Sequence, residues 1–347
     1  MGTRTALITG IVGQDGSYLA ELLLAKGYTV RGIVRRASYP HTSRIDHLLR
    51  AHDERDPNCR FRLLYGDLTD SSSLRNVIEK VQPDEVYNLG AQSHVGISFE
   101  TGESTLDINA IGPFRLLDVV RRMGAKVRYY QASSSEMFGA SPPPQSESTP
   151  FLPQSPYGVS KVAAFYLTRM HRIAYGMFAA NGILFNHESP RRGLNFVTRK
   201  ITRGIASIVT GDIDRLYLGN LDAKRDWGFS GDYVDAIWRI LQHHEPDDFV
   251  IATGDSRTVR EFLVETFGLL GLEWGDFVVT EDRYLRPAEV PALLGDPTKA
   301  RRVLNWEPKV HFSDLCLMML ESDLAEKGLS LEQARVMAAR LRPARVR

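Results

Sequence analysis

From residue 5 to about residue 185 the chain alternates short apolar runs with longer amphipathic ones. "TALITG", "YTVRGIVR", "FRLLYGDL", "EVYNLGA" and "VRYYQASS" are rich in β-branched, aromatic and aliphatic residues, as strands covered on both faces require. Between them, "SYLAELLLAKG", "SSLRNVIEKV" and "GPFRLLDVVRRMGA" space their apolar residues as helices with one buried stripe do. Regular strand–helix alternation predicts an α/β fold, a doubly wound parallel sheet with helices on both faces. After Asn186 the rhythm loosens into shorter strand candidates, "DRLYLGN" and "DFVIATG", among loops rich in Arg, Asp, Gly and Pro. We expect residues 1–185 to form a dinucleotide-binding domain, with later strands returning to it around 228–255, and residues 186–347 to form mainly a smaller substrate-binding α/β region. The final stretch, "LEQARVMAARLRPARVR", reads as a helix with a basic tail.

Composition narrows the partners. The 347 residues carry 43 Lys and Arg against 42 Asp and Glu, so no global field favours nucleic acid or an anionic membrane, and any anion must be held locally. Cys59 and Cys316 lie far apart without metal-ligand or CxxC spacing, which predicts no metal and a reducing compartment. No apolar run approaches a membrane span and no signal-peptide pattern precedes "TRTALITG"; the expectation is a cytoplasmic protein.

"ALITGIVGQDGSYLAELLLAKG" sets Gly10, Gly13 and Gly16 between the first strand and the first helix, with Gln14 and Asp15 inside the turn. Glycines there let the backbone approach a pyrophosphate at the helix N-terminus, where free N–H groups and the helix dipole favour an anion. The second strand ends in "GIVRRAS", so Arg35, Arg36 and Ser38 stand where an NAD site offers an acid. Guanidinium groups there suit the 2′-phosphate of NADP, although surface arginines are common. Asp67 and Leu68 after the third strand, and Leu89 and Ala91 after the fourth, extend the same cofactor path.

Tyr157 and Lys161 in "SPYGVSK" share one helix face. An ammonium beside a phenol favours the phenolate, which predicts an acid/base near neutral pH. "QASSSEMFG", residues 131–139, places Ser134 and Glu136 at the end of the fifth strand. Unpaired burial there costs roughly 1–3 kcal/mol per polar group, so these groups are satisfied or put to work. On "SSSE" alone, a turn cap or an arginine partner explains Glu136 as well as chemistry does.

The order of glycine loop, serine-rich strand end and YxxxK resembles the extended short-chain dehydrogenase/reductase superfamily, which implies a Rossmann-type sheet. "NLGAQSHVGISFE", "SSSEMFG", "NHESPRRG", "FVTRKITR", "LGNLDAKRDWG" and "RPAEVPALLGDPTKARRVLNWEP" narrow it. Over roughly residues 4–310 the chain resembles the GDP-mannose 4,6-dehydratase family. The resemblance implies Ser134, Glu136 and Tyr157 as catalytic positions, with Lys161, His187 and Arg192 at NADP. It implies Ser93, Asn186, Val197, Lys200, Arg225, Arg286 and Glu289 at the GDP-sugar. Those cations supply local charge for a diphosphate, though they could equally be surface ion-pair partners, and Glu289 could accept from a guanine edge. Three positions depart from the family pattern: Leu194 replaces the acid of "RRGE", Gly90 replaces an alanine, and Ser134 stands for the commoner threonine.

These readings imply an internal redox cycle that dehydrates GDP-mannose to GDP-4-keto-6-deoxymannose without consuming NADP. Alternatives are a GDP-heptose dehydratase, a reductase of the 4-keto product and an idle NADP-binding regulator. A homodimer or homotetramer is expected, and in a tetramer "RRASYPHTSR", residues 35–44, would reach a neighbour's cofactor.

Overall fold

The computed structural model describes residues 3–39, 41–53, 55–124, 126–284 and 287–341. Its strands are β1 (Thr5–Thr9), β2 (Thr29–Val34), β3 (Phe61–Tyr65), β4 (Glu85–Asn88), β5 (Arg128–Ser134), β6 (Ala179–Leu184), β7 (Asn186–Glu188), β8 (Leu216–Leu218), β9 (Lys224–Phe229), β10 (Asp248–Ile251), β11 (Ser256–Thr258) and β12 (Val278–Thr280). Among the described residues, seven pair in parallel in the order β3-β2-β1-β4-β5-β6-β10. This is the expected Rossmann-type doubly wound sheet, whose strand order reverses between β1 and β4.

Apolar packing covers both faces. Leu19 and Leu23 of the helix Gln14–Ala25 meet Ile237 and Ile240 of Ser230–Gln242 on one side. Leu74 and Ile78 of Ser71–Val81 meet Leu116 and Val120 of Gly112–Arg122 on the other. β10, from "DFVIATG", pairs with β6. A separate core gathers Ile201, Ile205, Phe262, Phe267 and Leu320, from the helices Val197–Thr210, Val259–Gly268 and Phe312–Glu326. Two small sheets flank it, β11-β9-β7 and β12-β8, with β8 from "DRLYLGN". The predicted terminal helix runs from Leu331 to Ala338 behind a Ser330 capping box; its basic tail, residues 342–347, lies outside the described residues.

Local chemistry places the helix that matters most. Ser155 accepts from the Gly158 N–H at 3.0 Å, Pro156 takes the first helical position, and left-handed Gly176 ends the run Pro156–Tyr175. Such caps fix where a helix starts, and Tyr157 thereby sits in its first turn. A turn of π-helix, Asp107–Ile111, interrupts the run of residues 102–122. No sequence pattern pointed to it. No described helix is long and apolar enough to cross a membrane.

At the sheet edge away from the glycine loop, Glu85 is 1% exposed. It accepts from Tyr87 Oη at 2.6 Å, Tyr28 Oη at 3.2 Å, and Arg4 Nη1 and Gln242 Nε2 at 3.1 Å each. One buried carboxylate therefore ties β4 to residues beside β1 and β2 and to the helix Ser230–Gln242. Removing it strands the buried Tyr87 hydroxyl, while Arg4, half-exposed, keeps Gln242 Oε1 at 2.6 Å. We expect Glu85→Ala to lower the unfolding free energy by roughly 1–3 kcal/mol in a denaturant titration, with NADP retention unchanged in the protein that remains folded.

Candidate active site

A cleft of about 1130 Å³ opens along the C-terminal ends of the sheet strands and continues under the second core. Its floor begins where β1 ends at Gly10. A Cβ on Gly16 would lie 2.3 Å from the Gly10 carbonyl oxygen and 2.6 Å from Ile11 Cα. Only glycine permits that crossing. Gly13 caps the helix Gln14–Ala25 without any side-chain hydrogen bond, which leaves the first N–H groups to meet an anion. Gly10, Gly13, Gln14, Asp15 and Gly16 all line the cleft, as do Asp67, Leu68, Leu89 and Ala91. This cradle fits a dinucleotide.

Beyond β2 the structure divides the expected set. Arg35 lines the cleft, while Arg36 and Ser38 are exposed outside it. Arg44 enters in their place. Its Nε donates to the Arg191 carbonyl at 2.7 Å and its Nη1 to Val12 of the glycine loop at 3.4 Å. The stretch 35–44 thus brings a cation into its own chain's cleft, a contact that sequence could not show because it is set by the fold-back of residues 41–45.

Asp15 is spoken for within the protein. Its Oδ2 lies 2.8 Å from His187 Nε2 and its Oδ1 accepts from Ser230 Oγ at 2.8 Å. Burial would raise this carboxyl, but His187 and Ser230 outweigh it and hold it at about 2. His187 presents its other nitrogen to the Phe185 carbonyl at 2.7 Å. Burial opposes the imidazolium, yet Asp15 raises its pKa, as two acceptors around one ring require. With both nitrogens engaged and its ring stacked on Tyr233 at 4.8 Å, His187 staples the start of the first helix to β7 beside the cleft. Arg192 also lines it, 3.1 Å from Glu188 Oε2 and stacked over Phe196 at 3.7 Å.

Ser134, Glu136, Tyr157 and Lys161 come together on one wall. Ser134 ends β5 and accepts from the Glu136 N–H at 3.2 Å, starting the 3₁₀ turn Ser135–Met137 that sets Glu136 beside it. The Lys161 Nζ donates to the Ala132 carbonyl at 2.9 Å and lies 5.7 Å from the Tyr157 ring centre. The predicted near-neutral phenolate does not hold for the chain by itself. Burial pushes Tyr157 up to about 12; a Ser134 hydrogen bond works downward and the Glu136 charge upward. Burial likewise brings Lys161 down to about 8, against the pull of Asp15. Spacing supplies the lysine neighbour, but desolvation of the buried phenol dominates.

The far half of the cleft holds Ser93, Asn186, Val197, Lys200, Arg225 and Glu289; Arg286 lies outside the described residues. Arg225 is 6% exposed, with Nη1 donating to the Val290 carbonyl at 2.8 Å and Nη2 to Glu289 Oε1 at 3.1 Å. Lys200 donates to the Tyr217 carbonyl at 2.6 Å and sits 3.8 Å over the Tyr284 ring. Leu194, flagged as a departure, is exposed and not part of the lining. Two lining or supporting groups escaped notice. Tyr284 lies in no motif singled out, and Asn109, in the π turn, binds Gln92 N at 2.9 Å, Gln92 O at 2.8 Å and Ser160 Oγ at 3.2 Å. Among the described residues no group of three His, Cys, Asp or Glu could hold a metal.

Comparison with known proteins identifies the family. The family described as GDP-mannose 4,6 dehydratase matches residues 7–319. The chain is 55% identical over 347 residues to GDP-mannose 4,6 dehydratase 2 of Arabidopsis thaliana, covering 98% of this chain and 92% of that one. It is 52% identical over 344 residues to the GDP-mannose 4,6 dehydratase of Homo sapiens, covering 92% and 91%. Among solved structures, the UDP-glucose 4-epimerase of Thermus thermophilus with NAD superposes with a TM-score of 0.77 at 23% identity, covering 92% of this chain and 98% of that one. The RMD of Pseudomonas aeruginosa with NADPH gives 0.75 at 24%, covering 93% and 98%. These distant structures share the fold; the full-length identity to the dehydratases goes further, and by it the chain belongs to the GDP-mannose 4,6-dehydratase family.

Proposed function

We propose that this chain is an NADP-dependent hydro-lyase that converts GDP-α-D-mannose to GDP-4-keto-6-deoxy-D-mannose and water. The observation that carries the reading is the convergence of Ser134, Glu136, Tyr157 and Lys161 on one wall of a cleft that runs from a dinucleotide cradle to a cationic pocket. Residues 1–185 would hold mainly the cofactor and residues 186–347 mainly the nucleotide sugar.

Bound NADP supplies a hydride acceptor for sugar C4 and, once reduced, a hydride donor for C6. The chain handles the protons. Tyr157 Oη, as the phenolate left once its own proton has departed, takes the proton of the 4-hydroxyl, oriented by Ser134 Oγ, and the Lys161 ammonium supports that phenolate before the transfer. A ketone at C4 acidifies the C5 hydrogen. Glu136 removes that proton and delivers it to the departing C6 hydroxyl, so the C6–O bond breaks as water forms and a C5–C6 double bond remains. When C6 is reduced, the proton stored on Tyr157 returns to C5. Atoms and electrons balance, and no reductant is consumed. The glycine loop and Arg35 would hold the dinucleotide, while Lys200 and Arg225 would face the diphosphate and Glu289 the guanine edge.

An apolar row supports a homodimer or homotetramer. Ile111, Phe114, Tyr166 and Ile173 stand exposed along residues 102–122 and the helix Pro156–Tyr175, Ile173 by 76%. Exposed apolar residues in a contiguous row mark contact surfaces.

Incubating the purified protein with GDP-mannose and no added reductant is expected to give a product lighter by one water, with no net change in NADPH, as read by mass spectrometry and absorbance. Glu136→Gln is expected to cut that turnover by about 10²–10⁴-fold while substrate binding persists; an unimpaired variant would remove Glu136 from the mechanism. Lys161 offers a pH signature. In the ligand-free protein its amine releases its proton at about 8, whereas the unfolded chain holds one up to 10.5. Between those values the unfolded state binds more protons, so this residue's share of stability grows with pH and is lost as pH falls through about 8. The difference in stability between wild type and Lys161→Met should follow that slope in denaturant titrations. Light scattering is expected to give a dimer or tetramer, with Phe114→Asp and Ile173→Asp together shifting it toward monomer.

A further inference from the structure

Asp226 belongs to none of the functions above, yet it is fully buried on β9 between two residues that line the cleft, Arg225 and Trp227. Its Oδ1 accepts from Thr253 N at 2.8 Å and Thr253 Oγ1 at 2.6 Å; its Oδ2 accepts from Gly254 N at 2.9 Å and Gly295 N at 3.3 Å. One carboxylate therefore joins three pieces of chain. These are the substrate strand carrying Arg225, the segment that leaves the main sheet after β10, and the strap of residues 287–297 carrying Glu289. The strap is pressed close there: a Cβ on Gly295 would lie 2.3 Å from Ala252 Cβ.

Burying a carboxylate among neutral donors is costly, and a desolvated charge is retained where its acceptor geometry is needed. An amide offers one acceptor oxygen; four donors need two. We propose that Asp226 is a positioning residue for nucleotide-sugar binding, an ionised clip that holds Arg225 and Glu289 in register across the cleft. This inference rests on the reading of the far half of the cleft as the GDP-sugar site.

The surroundings support the need for ionisation. Burial raises Asp226 to about 6, with the Thr253, Gly254 and Gly295 donors pulling it back down. The phenol facing it is Tyr233, of the helix Ser230–Gln242, which burial and then Asp226, Asp232 and Glu188 keep neutral. On its own strand Arg225 turns to Glu289 and Lys224 is exposed; on β11 Arg257 pairs with Asp255; Asp296 caps Thr298; Arg301 reaches the Thr253 carbonyl. A protonated Asp226 would aim an O–H at backbone N–H groups and release part of the clip.

The test uses Asp226→Asn with NADP bound, and Thr253→Val as a milder variant lacking one donor. In Asp226→Asn we expect KM for GDP-mannose to rise about tenfold or more with kcat within about threefold, NADP still co-purifying, and Thr253→Val to move the same way by less. Wild-type KM should rise as pH falls through about 6 while the Asn variant's stays level; the substrate's diphosphate diester does not titrate there. Amide exchange of the ligand-free protein should quicken at residues 253–254 and 287–297 and not in β1 and β2. Unchanged exchange in those segments, or equal quickening throughout the chain, would overturn the clip. Wild type without turnover would sink the proposed function instead, and the exchange pattern would still decide the role of Asp226.

Discussion

Parallel strands all end on the same edge, and the working parts of this molecule depend on that constraint. Each strand in the order β3-β2-β1-β4-β5-β6-β10 delivers its following loop to one rim. Residues as distant as Gly10, Asp67, Leu89, Ser134 and His187 therefore line one cleft. The opposite rim is free for stability, and there Glu85 gathers donors from several elements. Closeness at the upper rim is bought with glycine, because a side chain at Gly16 would collide with the backbone of the preceding turn.

Desolvation sets the chemical tone of the wall at β5. Tyr157 is raised and Lys161 lowered by the same burial, so the resting pair is closer to neutral than an exposed pair would be. Taking the 4-hydroxyl proton therefore requires that the phenol first give up its own, a loss that burial opposes and a nearby cation would favour. The surrounding polar groups are tied to one another, with Asp15 bound to His187 and Ser230, and Ser134 to the turn bearing Glu136. The Asp15 ties link the first helix to β7 and to the helix Ser230–Gln242, the Ser134 tie fixes the turn after β5, and together they limit how far the reacting groups can drift.

The second region follows a different logic. Its sheets are small, and its cations are held by protein acceptors before any ligand is considered, Arg225 by Glu289 and Val290, Lys200 by Tyr217. Such pairing keeps buried charges satisfied and pre-set. It also explains why a chain of nearly zero net charge can still concentrate positive groups where an anion would sit. Asp226 extends this economy by fixing the strand and the strap that carry two of those groups.

Much of this was legible in the residues. Apolar runs and amphipathic spacing determined β1 to β5 and the helices between them, because burial on both faces leaves a composition that no other element tolerates. The glycine turn, Ser134, Glu136 and the Tyr157–Lys161 spacing determined the chemistry available, since those groups are local in sequence. Tertiary structure alone decided which candidates meet. Arg44 enters the cleft while Arg36 and Ser38 stay outside it, the π turn puts Asn109 against Gln92, and Asp226 joins residues 27 to 69 positions away. Tyr157 carries the same lesson: sequence placed a lysine beside it and pointed to a low pKa, whereas burial, a property of the whole packed chain, moved it the other way. Spacing along a chain fixes neighbours within an element; solvent exclusion and contacts between elements exist only once the sheet has closed over them.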